Sequence, residues 1–192
     1  MRILLASSNP GKLREYRELA EGTAWEVGLL AEFERLPAFE ESAPTFAENS
    51  AGKALHYSRF SGEAVLADDS GLVVPALGGA PGVRSARYAG PHATTAACVA
   101  KLLSEMQGKT GDERRARFVC VISVARRGRA IAAVSDFAEG FIAEEPRGAN
   151  GFGYDPIFYL PERGRTFAEA SAEEKNRLSH RGRAFRKLTE IF

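Results

Sequence analysis

The sequence predicts an α/β fold, a mixed central β-sheet flanked by helices. Two observations carry the prediction. Short apolar runs alternate with helical periodicities from the first residues onward, the pattern of strands covered by helices. In the middle of the chain two long strand-like runs meet at the tight turn Arg126-Arg127-Gly128-Arg129, an antiparallel hairpin that an all-parallel sheet lacks. With 192 residues and 44% hydrophobic content, the chain can bury one sizeable core or two lobes of one α/β domain without disulfide or structural metal. One domain over residues 1–192 is therefore expected.

The elements follow in order. Ile3 to Ala6 is a short buried strand. Pro10 to Ala20 carries Leu13, Tyr16, Leu19 and Ala20 at helical spacing, with Asn9 as N-cap and Pro10 at the first helical position. Trp25 to Leu30 reads as a second strand, and the acidic, proline-bearing stretch Ala31 to Pro44 as a surface loop. Thr45 and Glu48 form a capping box that opens a helix to about Phe60, with Phe46, Ala54 and Leu55 on its inner face. Ala64–Ala67 and Leu72–Leu77 are expected as strands flanking an acidic turn, followed by the loop Gly78-Gly79-Ala80-Pro81-Gly82. Thr94 or Thr95 caps a helix to Met106, and Arg117–Ala125 and Ala130–Phe137 form the hairpin. Ser171 to Glu174 is a second capping box, and Ser179 caps a last helix with the apolar stripe Ala184, Phe185, Leu188 and Ile191.

Charge and cysteine content narrow the function. The 26 basic and 25 acidic residues give a formal charge of +1, which argues against the basic field that holds a protein to long nucleic acid; no nucleic-acid partner is expected. Cys98 and Cys120 have neither the spacing nor the Cys/His companions of a zinc site and read as reduced core residues of a cytoplasmic protein. The apolar start Met1 to Ala6 stops at Ser7, far short of a signal-peptide core or membrane span, so a soluble chain with no membrane partner is expected.

Four segments carry chemistry. Ala67-Asp68-Asp69-Ser70-Gly71 places two carboxylates side by side, an arrangement tolerated when a hard cation such as Mg²⁺ bridges them to a substrate; a solvated Asp-Ser-Gly turn has the same sequence. Ser7-Ser8-Asn9-Pro10-Gly11-Lys12 lies between a strand and a helix, where backbone N–H groups, the helix dipole, hydroxyls and a lysine can receive an anion. It lacks the spacing of a Walker A loop. Gly151-Phe152-Gly153-Tyr154-Asp155-Pro156 offers a face for stacking a planar base and a carboxylate acceptor. Lys175 with Ser179-His180-Arg181-Gly182 forms a cationic cluster at the start of the last helix, although a solvated basic face would read similarly.

Taken jointly, these segments resemble the inosine triphosphate pyrophosphatase family, enzymes that hydrolyse non-standard purine nucleoside triphosphates. The resemblance spans nearly the whole chain: Ser-Asn-Pro-Gly-Lys, Thr-Phe-x-Glu-Asn with Lys53, Ala-Asp-Asp-Ser-Gly-Leu, Leu-Gly-Gly-Ala-Pro-Gly-Val-x-Ser-Ala-Arg-Tyr, Gly-Phe-Gly-Tyr-Asp-Pro-Ile-Phe and Ser-His-Arg-Gly. Ser7-Ser8 replaces the family's commoner Thr-Gly, which keeps a hydroxyl at Ser7 but gives up the backbone freedom of glycine at position 8.

The resemblance implies two lobes with a nucleotide cleft between them, a homodimer and Mg²⁺ dependence. It implies hydrolysis of ITP, dITP or XTP to the monophosphate and pyrophosphate. Lys12 and Lys53 are placed on the phosphates, and Asp69 with Glu41, or less readily Glu40, at Mg²⁺. Asp69 is also placed as the base that orients water, with Asp68 as alternative. The substrate-binding set comprises Ser7, Ser8, Asn9, Pro10, Gly11, Lys12, Lys53, Ser70, Phe152, Gly153, Tyr154, Asp155, Lys175, His180 and Arg181. His180 and Arg181 are expected to donate to the 6-oxo group, Phe152 to stack on the base, and Asp155 to accept from the purine N1–H. The hairpin and the Gly78–Tyr88 segment are the expected dimer contacts. A pyrophosphatase for modified pyrimidine or methylated nucleotides would share the phosphate chemistry. An RNA-binding module on the same fold, using the Arg114–Arg117 and Arg126–Arg129 clusters, has the balanced charge against it.

Overall fold

The computed structural model describes residues 1–192 and contains a seven-stranded mixed sheet in the order β2-β1-β3-β4-β5-β6-β7. The strands are β1 (Arg2–Leu5), β2 (Glu26–Leu29), β3 (Ala64–Val73), β4 (Arg115–Arg126), β5 (Arg129–Ile142), β6 (Phe158–Leu160) and β7 (Arg165–Thr166). β1 pairs in parallel with β2 and β3, whereas β6 is antiparallel to both β5 and β7. The helices are α1 (Pro10–Ala20), α2 (Phe46–Tyr57), α3 (Thr95–Glu105), α4 (Ala172–Leu178) and α5 (His180–Ile191). None is long and apolar enough to cross a membrane.

The chain divides into two compact units: Met1–Asp69 with Cys120–Asp136 and Arg181–Phe192, and Ser70–Val119 with Phe137–His180. In the first unit, strand alternation separates two cores. Ile3 and Leu5 of β1, Leu66 of β3 and Cys120, Ile122 and Val124 of β4 pack with Tyr16 of α1 and Phe185 and Leu188 of α5. Leu4 and Ala6, Val65 and Ala67, and Ala125 pack instead with Ala54 and Tyr57 of α2. The second unit has its own core, where Cys98, Val99 and Leu102 of α3 meet Leu72, Phe118, Ala138, Phe158 and Phe167. Gly140 belongs to that packing: a Cβ there would lie 2.6 Å from the Tyr159 carbonyl oxygen, so β6 can approach β5 only past a glycine.

Four of the expected caps form, while Ser179, expected to cap the last helix, ends α4 with its N–H donating to the Lys175 carbonyl. Asn9 Oδ1 accepts from the N–H groups of Gly11 and Lys12, Thr45 Oγ1 from Glu48, Thr94 from Ala97 and Ser171 from Glu174. Arg127 and Gly128 both adopt positive φ, 52° and 74°, as the two-residue hairpin turn requires.

Five expectations need correction. The acidic segment is not a turn between two strands: β3 runs unbroken from Ala64 to Val73, because its charged residues find partners on each face. Beyond Val73 the chain turns into a 3₁₀ segment, Pro75–Leu77. α2 gives way to 3₁₀ geometry after Tyr57 instead of running to Phe60. β6 and β7 were not expected, since three and two residues are too few to show periodicity. Ile191, the last residue of α5, is 58% exposed and leaves the stripe, whose Ala184, Phe185 and Leu188 alone enter the core.

Candidate active site

The first unit gathers a buried charge cluster around β3. Since successive side chains of a strand face opposite ways, Asp68 falls on the α1/α5 side and Asp69 on the α2 side. Asp68 is 1% exposed. Lys12 Nζ sits 2.8 Å from its Oδ1, and Arg181 donates from Nη2 to its Oδ2 at 2.9 Å. Arg181 is itself buried and donates from Nη1 to Glu15 Oε2 at 2.6 Å. Burial alone would raise the Asp68 pKa, but the Lys12 and Arg181 charges overcome it and hold the carboxyl well below its usual range. The Cys120 thiol, 3.8 Å from Asp68 Oδ2, is pushed up to about 12 by burial and that carboxylate, so it is inert at neutral pH.

On the other side of β3, Asp69 Oδ2 accepts from Asn49 Nδ2 at 3.1 Å. Burial, and then the nearby Glu41 carboxylate, raise its pKa to about 6, against the opposing Asn49 hydrogen bond. Glu41 is ion-paired with Lys53 of α2, whereas Glu40 is exposed. Two hard-oxygen carboxylates that repel each other suit a divalent cation, which in the case of Mg²⁺ takes one or two protein carboxylates and completes its shell with phosphates and water. Asp69 and Glu41 fit that demand. They form no group of three His, Cys, Asp or Glu ligands, so the remaining oxygens would come from substrate and solvent.

The second unit holds a separate constellation on the Gly151–Pro156 segment. Asp155 is buried; its Oδ2 accepts from the Phe152 N–H at 2.7 Å and from Lys175 Nζ at 2.5 Å. Lys175 also lies over the Phe152 ring, 4.8 Å from its centroid. Gly151 has φ +73°, and a Cβ there would overlap Asp155 Oδ2. Phe152, Asp155 and Lys175 are thus brought together, although Lys175 is 20 residues from Asp155 in sequence. His180 is 4% exposed, its ring stacked on Phe118 with centroids 4.7 Å apart and planes 7° apart.

Several expected roles meet a different arrangement. Arg181 is not presented as a donor for a base: its guanidinium holds Asp68 and Glu15. Asp68, the alternative base, is paired with two cations and held well below the usual carboxyl range, an environment that favours its ionised form as a partner for those cations. Lys12 rests on Asp68, and the Gly11 and Lys12 N–H groups are capped by Asn9, so the Ser7–Lys12 loop is less open to an anion than its sequence suggests. Ser7 Oγ accepts from the Asn9 N–H, while Ser8 and Pro10 are exposed. Tyr154 belongs to the second core, its hydroxyl donating to the Ser85 carbonyl, beside Gly153 at φ +63°. Ser70 lies half-buried in β3. Glu15 was not singled out, and Asn49, though the last residue of the Thr-Phe-x-Glu-Asn motif, was given no role. Glu15 could have been found at i+3 from Lys12, and Asn49 at i−4 from Lys53, each on the same helix face as its lysine.

A sequence profile of the Ham1 family matches residues 3–191. The chain belongs to the Ham1 family. It is 52% identical to a dITP/XTP pyrophosphatase of Geobacillus kaustophilus, over 98% of this chain and 92% of that protein. The structure of a HAM1 protein from Coxiella burnetii superposes with a TM-score of 0.87 at 43% identity, covering 100% of this chain and 98% of the other. For the Ham1 protein of Staphylococcus aureus the TM-score is 0.86 at 38% identity, over 100% and 97%. The family resemblance read from the sequence motifs and the mixed α/β sheet are both borne out.

Proposed function

We propose that this member of the Ham1 family is a pyrophosphatase that hydrolyses non-canonical purine nucleoside triphosphates, dITP, ITP and XTP, to the monophosphate and pyrophosphate. The observation that carries the reading is the separation of Asp68 from Asp69, which leaves one carboxylate neutralised and the other basic. Together with 52% identity over 98% of the chain to a protein named dITP/XTP pyrophosphatase, it points to one reaction class.

A nucleoside triphosphate carries about four negative charges, and attack of water on the α-phosphorus is opposed until they are neutralised. Lys12 and Lys53 supply cations; at an effective dielectric of about 20, each close lysine–phosphate pair is worth roughly 4 kcal/mol of gross attraction. Lys12 pairs with Asp68 and Lys53 with Glu41, so phosphate oxygens would replace those carboxylates on the two lysines while Arg181 keeps its pairing with Asp68. Asp69 takes the proton of water as its oxygen bonds to the α-phosphorus, and the α–β bridging oxygen leaves with pyrophosphate. A pKa near 6 lets Asp69 be ionised at neutral pH yet remain basic enough to take that proton. Mg²⁺, held by Asp69 and Glu41, would when bound lower the charge on the phosphates and make water more acidic.

Phe152 is assigned to stacking on the purine, with Asp155 and Lys175 fixing its loop. Arg181 is assigned to fixing Asp68, not to reading the base. The protein is proposed to act as a homodimer through the β4–β5 hairpin, where Ile131 and Phe137 are 45% and 44% exposed. The buried free thiols Cys98 and Cys120 support a cytoplasmic setting. A panel of dITP, XTP, ATP, GTP and dUTP, with pyrophosphate detection in Mg²⁺ and in EDTA, tests the reading. Preference for ATP or dUTP, or full activity in EDTA, would overturn it.

A further inference from the structure

We propose that Asn49 is a positioning residue that sets Asp69 and the Glu41 loop together as one cation-receptive pair. The inference rests on the reading of Asp69 and Glu41 as metal ligands.

Asn49 is 1% exposed and its carboxamide is occupied at both ends. Its Oδ1 accepts from the Ala43 N–H at 3.0 Å, and its Nδ2 donates to the Ala43 carbonyl at 3.2 Å and to Asp69 Oδ2 at 3.1 Å. This pattern admits one orientation of the amide. The Ala43 N–H can only donate and therefore must face Oδ1, which turns both Nδ2 hydrogens toward acceptors, Ala43 O and Asp69 Oδ2. Ala43 stands two residues beyond Glu41, in a loop with a further turn from the Ser42 N–H to the Glu40 carbonyl. One side chain thus clamps the backbone that carries Glu41 and orients Asp69.

The neighbouring helix turn completes the arrangement. Lys53, four residues on from Asn49 and on the same face of α2, holds Glu41. Glu41 and Asp69 repel each other, and without restraint such a pair relieves the strain by moving apart. Asn49 opposes that movement with a neutral donor, which adds no charge to compete for the cation. Because it touches neither phosphate nor base in this account, its loss should act on catalysis and cation binding and, at saturating cation, leave substrate affinity alone.

The test uses Asn49→Leu and Asn49→Ala in the full chain, with Mn²⁺ alone as probe, its binding read by electron paramagnetic resonance. Mn²⁺ affinity is expected to fall at least tenfold, and kcat for dITP about a hundredfold, with KM within about threefold. Amide hydrogen exchange at Ala43 should quicken in both variants. In the wild type, the Asn49 side-chain amide signals in the ¹⁵N spectrum should shift when Mg²⁺ is added, a readout that needs no variant to fold. Wild-type Mn²⁺ affinity and kcat in both Asn49 variants, or unshifted Asn49 amide signals, would overturn the inference. If Asp69→Asn itself binds Mn²⁺ like wild type, the reading of Asp69 as a ligand fails instead, so the two failures are distinguishable.

Discussion

Asp68 and Asp69 are adjacent in sequence and occupy opposite faces of β3, one held by Lys12 and Arg181, the other touching Asn49 near Glu41. The pleat performs the division: with a side-chain period of two, neighbouring residues enter different environments without any change of backbone. One carboxyl is driven well below its ordinary value and the other up to about 6. Two groups of identical chemistry thus acquire opposite shifts, the kind of separation by which acid and base roles are assigned in catalytic sites, and on the proposed reading Asp68 serves as counter-ion and Asp69 as base.

Asp69→Asn is expected to reduce dITP turnover by about a thousandfold or more, combining loss of a general base with loss of a cation ligand. The substituted amide can still accept from Asn49, so the fold should persist, as circular dichroism would verify. Turnover within tenfold of wild type would remove Asp69 from the mechanism.

The same substitution has a pH signature in stability. Between the ordinary 3.8 and about 6, the folded protein retains the Asp69 proton that the unfolded chain has released. Metal-free stability therefore falls as pH rises through that window, by on the order of 3 kcal/mol. Asp68 acts in the opposite sense: its contribution is present above about pH 4 and disappears as pH falls. Urea midpoints in EDTA between pH 4 and 7 should thus decline less steeply for Asp69→Asn than for wild type, and equal slopes would contradict the raised pKa.

Arg181→Ala is expected to destabilise the protein by about 3–5 kcal/mol, because it strands Asp68 and Glu15 as buried charges. Lys12 would still face Asp68, which sets the lower end of that range. Equilibrium urea unfolding measures this directly. A loss below about 1 kcal/mol would mean that the guanidinium is not committed to these carboxylates and is available to a ligand.

What could be read from the sequence was mostly what a few neighbouring residues determine. The caps at Asn9, Thr45, Thr94 and Ser171 and the Arg127-Gly128 turn are local, and each formed as expected. Continuity of β3 through two aspartates was not legible, because it depends on Lys12 and Arg181, 56 and 113 residues distant from Asp68. Tertiary pairing overrode the turn propensity of Asp-Asp-Ser-Gly. That Lys12, Lys53 and the Asp68-Asp69 pair belong to the segments of interest was visible through the family motifs. The attachment of Arg181 to Glu15 was not, since a motif names residues without saying which of them face each other.

Assembly is open to a direct measurement. With Ile131 and Phe137 exposed on the hairpin, light scattering at micromolar concentration is expected to give a mass near twice the 20.8 kDa chain. Ile131→Glu should shift it toward the monomer, as a charge at the centre of an apolar contact is costly to bury. A wild-type mass of one chain would exclude the dimer.

The two constellations should respond differently to substrate identity. Gly151→Ala places a methyl group where Asp155 Oδ2 now lies, at a φ of +73° that alanine disfavours, so the Phe152 ring and its Asp155–Lys175 support must shift. If Phe152 stacks on the purine, KM for dITP and XTP should rise by about ten- to a hundredfold, the equivalent of roughly 1–3 kcal/mol for a base–aromatic contact. ATP hydrolysis, expected on the proposed reading to be poor, has less base recognition to lose and should change little. Lys12→Ala removes a cation that every triphosphate meets and should lower kcat/KM for dITP and ATP by similar factors. Steady-state kinetics of both variants on both substrates separates the roles: equal losses in Gly151→Ala would place Phe152 outside base recognition, and a dITP-selective loss in Lys12→Ala would move Lys12 from the phosphates to the base.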